Sequence, residues 1–265
     1  MREPEPGTVE RWAWDYIQAQ SLESKLQPAP ASERWEENPT QRCLVEPGRP
    51  PELRIVAKAP KTRGLATKTG RARALHTFFH HELQAAELMA WALLAFPDTP
   101  KEFRAGLLRI AYDEVRHMRL YAEQIARLGY RVGDFAVRDW FWERVPACAS
   151  PASFVATMGL GFESANLEHT HSFAARFRAA GDEEGARIQE LVGREEIAHV
   201  RFGARWFFAF TGELDFETWR AAIPFPLSPT LMRGHPLHRA ARLRAGFTER
   251  FLDELDAWQP TSPGS

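Results

Sequence analysis

The chain has 265 residues, of which 44% are hydrophobic and 26% charged, and its formal net charge at pH 7 is -1. This composition is typical of a globular protein, and the balanced charge favours neither nucleic acid nor an anionic membrane as a general partner. Its two cysteines, Cys43 and Cys148, exclude a disulfide scaffold, a cysteine-based zinc site and an iron–sulfur cluster built from this chain alone.

The N-terminus and the hydropathy of the chain predict a soluble, cytoplasmic protein without a membrane partner. The first seven residues lack the basic flank and the apolar stretch of a signal peptide. No run of about 18 uncharged apolar residues is present, so no transmembrane helix is expected. The low cysteine content is typical of a reducing compartment.

Amphipathic patterning predicts helices that end at prolines and glycines. A first helix is expected over residues 9–26, and the seven prolines of residues 28–60 then predict an extended arm. The remaining predicted helices span residues 70–95, 101–128, 151–180, 183–210 and 238–258. Because no segment alternates like a half-buried strand, the predicted fold is all-α.

This pattern divides the chain into three expected parts. Residues 1–69 form an N-terminal helix and a proline-rich arm packed on a bundle. Residues 70–212 form a four-helix bundle, and residues 213–265 form a C-terminal extension with one helix.

Acidic residues and histidines interrupt the apolar seam of each long helix near its middle. In chain order these residues are Glu82, then Glu114 and His117, then Glu163, and finally Glu196 and His199. Four facing carboxylates without compensation would each cost several kcal/mol, whereas a folded domain has a net stability of only about 5–15 kcal/mol. Two divalent cations would neutralise them, and carboxylate and imidazole ligands suit iron or manganese.

The spacing of these residues supports a metal site independently. Glu114-Val-Arg-His117 and Glu196-Ile-Ala-His199 place a glutamate and a histidine one turn apart on one helix face. Both motifs follow a helix with a seam glutamate, so the chain contains the same helix pair twice. This is the ligand pattern of ferritin-like dimetal bundles. A third Glu-x-x-His motif, Glu168–His171, lies off the seam and is interpreted as a polar helix surface or as an outer shell of the site.

The segment Asp113-Glu-Val-Arg-His117 resembles the Asp-Glu-x-Arg-His form of di-iron carboxylate monooxygenases and related oxidases. The resemblance implies that Asp113 orients His199 and, by pseudo-symmetry, that Glu195 orients His117. The second copy departs from the form, because Glu195 replaces the aspartate and Ala198 replaces the arginine.

A wider resemblance covers about residues 50–250. The chain is similar to the bacterial ferritin-like family of unknown function number 455 in His80-His-Glu-Leu-Gln-Ala-Ala-Glu-Leu88, Phe96-Pro-Asp98, Gly181-Asp182, Glu196-Ile-Ala-His-Val200 and Trp206-Phe207. It implies a ferritin-like four-helix bundle with a metal site, and it implies no particular reaction. Glu87 and Glu168, each five residues after a favoured glutamate, remain alternative ligands.

These features predict a dimetal enzyme that contains two iron ions, with manganese or a mixed pair also acceptable to the same ligands. The expected activity is oxygen-dependent oxidation or hydroxylation of a small molecule whose identity the sequence does not specify. Because no flavin or nicotinamide fingerprint is present, electrons are expected from a separate protein. The expected assembly is a monomer or a homodimer.

Other functions remain open at this point. The same ligands would serve a ferroxidase or iron-handling protein, peroxide disproportionation by manganese, or a binding protein that the metal merely stabilises. A tRNA-modifying hydroxylase is a further alternative, because six cations without an acid could contact nucleic acid. These cations are Lys58, Lys61, Arg63, Lys68, Arg71 and Arg73. Such a run is more commonly a solvated surface.

Overall fold

Helices provide the regular secondary structure of the described part of the chain. The computed structural model describes residues 2–58 and 64–260, and the only β contact among them is an isolated bridge between Ile55 and Val137. The prediction of an all-α fold is therefore confirmed. None of the helices formed by the described residues has the length and apolar character needed to cross a bilayer.

The chain falls into two compact units, an N-terminal unit (Met1–Pro146) and a C-terminal unit (Ala147–Ser265). Each unit contains a pair of long helices together with shorter helices and loops. The three-part division expected from the sequence stays a prediction.

The N-terminal unit begins with two short helices, α1 (Val9–Gln18) and α2 (Leu22–Leu26). The prediction of one helix through both is wrong because Ser21 starts a new helix. Its Oγ accepts a hydrogen bond from the backbone N–H of Ser24 at 3.0 Å, which is an N-cap. The break lets Lys25 turn back, and its Nζ donates hydrogen bonds to two carbonyls near the end of α1.

The proline-rich segment that follows lies along the end of α3 (Lys68–Ala95). The indole Nε1 of Trp91 donates a hydrogen bond to the carbonyl of Leu44 at 2.9 Å. The backbone N–H of Arg42 donates to the carbonyl of Leu94, also at 2.9 Å. These bonds satisfy polar groups of a segment that has no regular structure of its own.

The helix pair of the N-terminal unit consists of α3 and α4 (Lys101–Arg127), close to the predicted bounds. Thr67 caps α3 through a hydrogen bond from the backbone N–H of Gly70 to its Oγ1 at 3.0 Å. Every residue from Glu82 to Ala95 is buried, so the second half of α3 is covered on all sides. A polar side chain in this part of α3 therefore needs a partner in the interior.

Two buried histidines of α3 contact the loop after α4. His76 Nε2 accepts a hydrogen bond from the backbone N–H of Gly133 at 2.7 Å, and His80 Nε2 lies 2.9 Å from Asp139 Oδ1. Burial lowers the pKa of His76 from 6.5 to about 4, which keeps the ring neutral at pH 7. A neutral ring is required here, because Nε2 acts as the acceptor.

This histidine should make the protein less stable in mild acid. The pKa of His76 is lower in the folded state, about 4, than the unfolded value of 6.5, so the unfolded chain binds more protons between these pH values. Stability is therefore lost as the pH falls through this window, by up to about 3 kcal/mol from this group. Urea unfolding at pH 7, 5.5 and 4 should show a smaller loss for His76→Gln than for the wild type. Equal losses would contradict the assignment.

The structure describes four of the six residues of the predicted cationic run. Lys61 and Arg63 lie outside the described residues. Arg71 Nη1 donates a hydrogen bond to a nearby backbone carbonyl at 3.0 Å, and the Arg73 guanidinium lies 4.7 Å from the centre of an aromatic ring. Nucleic-acid binding through residues 58–73 stays a prediction.

The first long helix of the C-terminal unit changes its hydrogen-bond pattern midway. It consists of α5 (Pro151–Thr157), a π-helical stretch (Met158–Glu163) and α6 (Ser164–Ala179). The continuous helix was predicted and the π-helical stretch was not. Such stretches insert one extra residue per turn and are frequent at functional sites.

The second long helix, α7 (Glu183–Thr211), packs directly against this π-helical stretch. A Cβ built on Gly159 would lie 2.8 Å from the Cα of Gly203 in α7. Both positions therefore require glycine, since any side chain would force the two backbones apart.

The C-terminal extension contains more helices than predicted, namely α8 (Phe216–Ala222), α9 (Arg239–Ala245) and α10 (Glu249–Ala257). The expected single helix over residues 238–258 is wrong because it breaks at Gly246, whose φ of +111° ends α9. The unpredicted α8 packs on α5, where Trp219 donates its indole N–H to a buried backbone carbonyl at 2.9 Å.

Candidate metal centre

The described residues of the N-terminal unit include a cluster of possible metal ligands, here called the N-terminal triad: Glu82, Glu114 and His117. Each offers one ligand atom, and these atoms lie within 4.8 Å of one another. Glu82 comes from α3, whereas Glu114 and His117 lie one turn apart on α4. Glu114 Oε2 is 3.1 Å from His117 Nδ1. All three side chains are buried.

The C-terminal unit contains a second cluster of the same composition, the C-terminal triad: Glu163, Glu196 and His199. Its ligand atoms also lie within 4.8 Å of one another, and its side chains are buried. Glu163 is the last residue of the π-helical stretch, and the other two lie one turn apart on α7. Glu196 Oε2 is 3.1 Å from His199 Nδ1, and Asn166 Nδ2 donates a hydrogen bond to Glu196 Oε1 at 3.1 Å.

The donor atoms of each triad fit a divalent metal ion. Two carboxylates and one imidazole provide oxygen and nitrogen donors without thiolate, a set that iron and manganese accept. A divalent cation would also balance the two negative charges of each triad. This balance matters because an uncompensated carboxylate in the interior costs several kcal/mol. The residues present therefore fit the pair of ions that the sequence predicts.

Glu87, the first alternative ligand, lies in a network of cations in the N-terminal unit. Lys25 Nζ and Arg49 Nη1 lie 2.7 Å and 2.6 Å from its Oε1. Trp142 Nε1 donates a hydrogen bond to its Oε2 at 2.7 Å. Burial alone would raise the pKa of Glu87, but Arg49 and Lys25 outweigh it and lower the pKa below its ordinary value. Glu87 is therefore an ionised carboxylate whose charge is already balanced.

The same network includes Asp139, which links Arg49 to His80. Arg49 Nε lies 3.0 Å from Asp139 Oδ2, and His80 Nε2 lies 2.9 Å from Oδ1. Burial raises the pKa of Asp139, but the hydrogen bond with His80 and the contact with Arg49 lower it to about 2. His80, which precedes the predicted ligand Glu82 in α3, is thus bound to a carboxylate of the loop.

Glu168, the second alternative ligand, forms a buried ion pair in the C-terminal unit. Arg242 contacts both of its oxygens, with Nε 2.9 Å from Oε1 and Nη2 2.6 Å from Oε2. The backbone N–H groups of Gly234 and His238 donate to the same carboxylate at 3.1 Å and 2.9 Å. As at Glu87, the negative charge of Glu168 is balanced by a cationic side chain of the protein itself.

The residues that the resemblance assigns to positioning the histidines lie on the same helices as the triads. Asp113, which precedes Glu114, lies 3.2 Å from Arg116 Nη2 through its Oδ1. Asp113 and Glu195 are both partly exposed. Their predicted pairing with His199 and His117 stays a prediction.

Sequence reasoning missed Asn166, which contacts Glu196. A signal was present, since Asn166 follows Glu163 by three residues and therefore lies on the same helix face. The cations Lys25, Arg49 and Arg242 were also missed. They lie far from their glutamates in sequence, so no local pattern connects them.

The fold and these clusters define an all-helical protein with buried groups of carboxylates and imidazoles that could bind metal. The family described as "Protein of unknown function (DUF455)" matches residues 8–253, and the chain belongs to this family. An "Uncharacterized protein" of Haemophilus influenzae is 27% identical over 225 residues, which cover 81% of this chain and 77% of the relative. No solved structure gives a significant match to the chain. The family predicted from the sequence is thus confirmed.

Proposed function

We propose that each triad holds one ion of a ferritin-like dimetal carboxylate protein, and that the protein is an oxygen-activating oxidase or hydroxylase. The observation that carries this proposal is the duplication of the triad. Each unit presents a glutamate from one helix and a Glu-x-x-His pair from the next, with the ligand atoms within 4.8 Å. Satisfied polar residues of a core would have no reason to repeat in this arrangement.

The two ions would be held by Glu82, Glu114 and His117 and by Glu163, Glu196 and His199, with iron as the proposed metal. Bound iron would supply the binding and reduction of dioxygen. The chain itself fixes the ligands and excludes water, since the triads are buried among apolar residues. Asn166 holds one oxygen of Glu196 and thereby limits the rotation of its carboxylate.

The proposal includes two substrates and an electron donor. A small organic molecule and dioxygen are the proposed substrates. A separate redox protein is the proposed electron donor, because the sequence has no flavin or nicotinamide fingerprint. Glu87 and Glu168 are not assigned as ligands, since Lys25, Arg49 and Arg242 already balance their charges.

Metal content tests the site directly. Protein loaded anaerobically with Fe(II) and then desalted is expected to retain two ions per chain by elemental analysis. Glu114→Gln and Glu196→Gln should each retain one ion or fewer, because each loses a charged ligand of its triad. Glu123→Gln is the matched control, since Glu123 is an exposed glutamate of α4 and its side chain is 64% accessible. It should retain both ions.

Two ions per chain in both ligand variants would show that the assigned glutamates do not bind metal. The oxidase is tested separately by exposing the reduced, loaded protein to oxygen and recording its absorbance. A change that is present in the wild type and absent in both variants supports the proposal. A loaded protein that never reacts would instead support the metal-stabilised binding protein, and a large hollow assembly on sizing would support iron storage.

A further inference from the structure

The C-terminal unit contains a cavity of about 230 Å³ between α6, α7 and α9. Its apolar wall includes Leu167, Ile197 and Ala241, all of which are buried. Gly193 of α7 contributes no side chain, and a Cβ at this position would lie 2.4 Å from Thr170 Oγ1. Glycine at this position thus lets α7 pack closely against α6 beside the cavity.

Two arginines without an ion-pair partner among the described residues also line this cavity. Arg194 of α7 and Arg244 of α9 are both exposed, and neither guanidinium has an ion-pair partner among the residues that the structure describes. Arg178, Arg239 and Arg242 of the same unit all contact carboxylates.

Among the described residues that line the cavity, Glu190 is the one acid, and it does not offset these charges. Glu190 Oε1 accepts a hydrogen bond from Arg178 Nη2 at 2.9 Å, so an arginine outside the cavity balances it. The cavity therefore combines apolar walls with two positive charges that lack a counter-charge. An anion with an apolar body would satisfy both features.

Two histidine rings form a further part of the lining. His171 of α6 and His238 meet edge to face, with ring centroids 4.8 Å apart. His238 Nδ1 accepts a hydrogen bond from the backbone N–H of Ala241 at 3.3 Å, so a neutral ring carries its proton on Nε2. Aromatic edges of this kind favour a flat ligand.

We propose that this cavity binds a small organic carboxylate whose apolar body is about the size of a benzene ring. An apolar cavity of about 150 Å³ is sufficient to bind benzene, so 230 Å³ leaves room for a carboxylate beside the ring. Guanidinium groups match the planar geometry of a carboxylate. The site lies wholly within the C-terminal unit, and its existence does not depend on the dimetal proposal.

Benzoate is the probe that tests this site. Titration of the full-length protein by calorimetry is expected to give saturable binding with a dissociation constant of about 1 mM or tighter, which is ordinary for so small a ligand. Arg194→Gln and Arg244→Gln should each weaken binding about tenfold or more, because each removes a charge-assisted hydrogen bond. Benzyl alcohol, which keeps the ring but lacks the charge, should bind the wild type about tenfold more weakly.

Arg205→Gln is the matched control, because Arg205 is an exposed arginine of α7 outside the cavity. It should bind benzoate like the wild type. Ala240→Trp should abolish binding, since Ala240 lines the cavity from an exposed position where a larger side chain does not disturb the core. Benzoate affinity that is unchanged in both cavity arginine variants would overturn the proposal. So would the absence of saturation at about 10 mM, or phosphate binding as tightly as benzoate.

Discussion

Replacing Arg242 with methionine is expected to lower the free energy of unfolding by about 3–5 kcal/mol. Arg242 is fully buried and contacts both oxygens of Glu168, which is also buried. The variant would leave the Glu168 carboxylate in the interior with only the backbone N–H groups of Gly234 and His238. Urea unfolding followed by circular dichroism measures this loss.

The matched control for this variant is Arg250→Met in α10. Arg250 pairs with Glu254 on the surface, and its side chain is 85% accessible. Its replacement should change the free energy of unfolding by less than about 0.5 kcal/mol. The double variant Arg242→Met, Glu168→Gln should recover part of the loss, because no charge is then stranded. A loss below about 1 kcal/mol in Arg242→Met alone would contradict the role given to this pair.

Glu87 and Glu168 occupy equivalent places in the two helix pairs, each five residues after a triad glutamate. Each is balanced by cations from segments outside the helix pair. Lys25 and Arg49 precede the N-terminal pair, and Arg242 follows the C-terminal pair. The segments before the N-terminal helix pair and after the C-terminal pair therefore supply positive charges to the helices that carry the triads, which gives these segments an electrostatic role.

The long helices could be predicted from the sequence because local signals mark their ends. Thr67 and Asp182 cap α3 and α7, and Gly212 ends α7 with a positive φ. Two shorter breaks were missed, at Ser21 and at Gly246. The helices on both sides of each break have buried side chains. The apolar periodicity of the sequence therefore continues across the break and does not reveal it. The capping residues were the better signal there.

The triad residues could be selected from the sequence because a charged residue on an apolar seam is conspicuous. The sequence left both Glu82 and Glu87 as candidate ligands, since both lie on α3. The charge of Glu87 is balanced in part by Arg49, which is 38 positions away in the sequence. The charge of Glu168 is balanced by Arg242, which is 74 positions away. Pairings over such distances follow from the tertiary fold and leave no periodic trace.

Glu82 and Glu87 provide a test of which carboxylates bind metal. In metal-free protein, Glu82→Gln is expected to raise the free energy of unfolding by about 1–3 kcal/mol, because it removes one of two buried like charges within 4.8 Å. In the metal-loaded protein the same change should be destabilising. A bound ion stabilises the wild type by about 4 kcal/mol at a thousandfold excess over its dissociation constant, and the variant loses most of this gain.

Glu87→Gln is the matched comparison, because Glu87 is a buried glutamate of the same helix. It should destabilise the protein by a similar amount with and without metal, by about 3–5 kcal/mol, since it leaves the fully buried Lys25 without a carboxylate partner among the described residues, whereas Arg49 keeps its contact with Asp139. Unfolding of both variants in chelator and in excess Fe(II) under anaerobic conditions measures the difference. Only a ligand changes the sign of its effect when metal is added. If Glu87→Gln changed sign and Glu82→Gln did not, the ligand assignment would have to be exchanged, because a balanced ion pair gains nothing from an added cation.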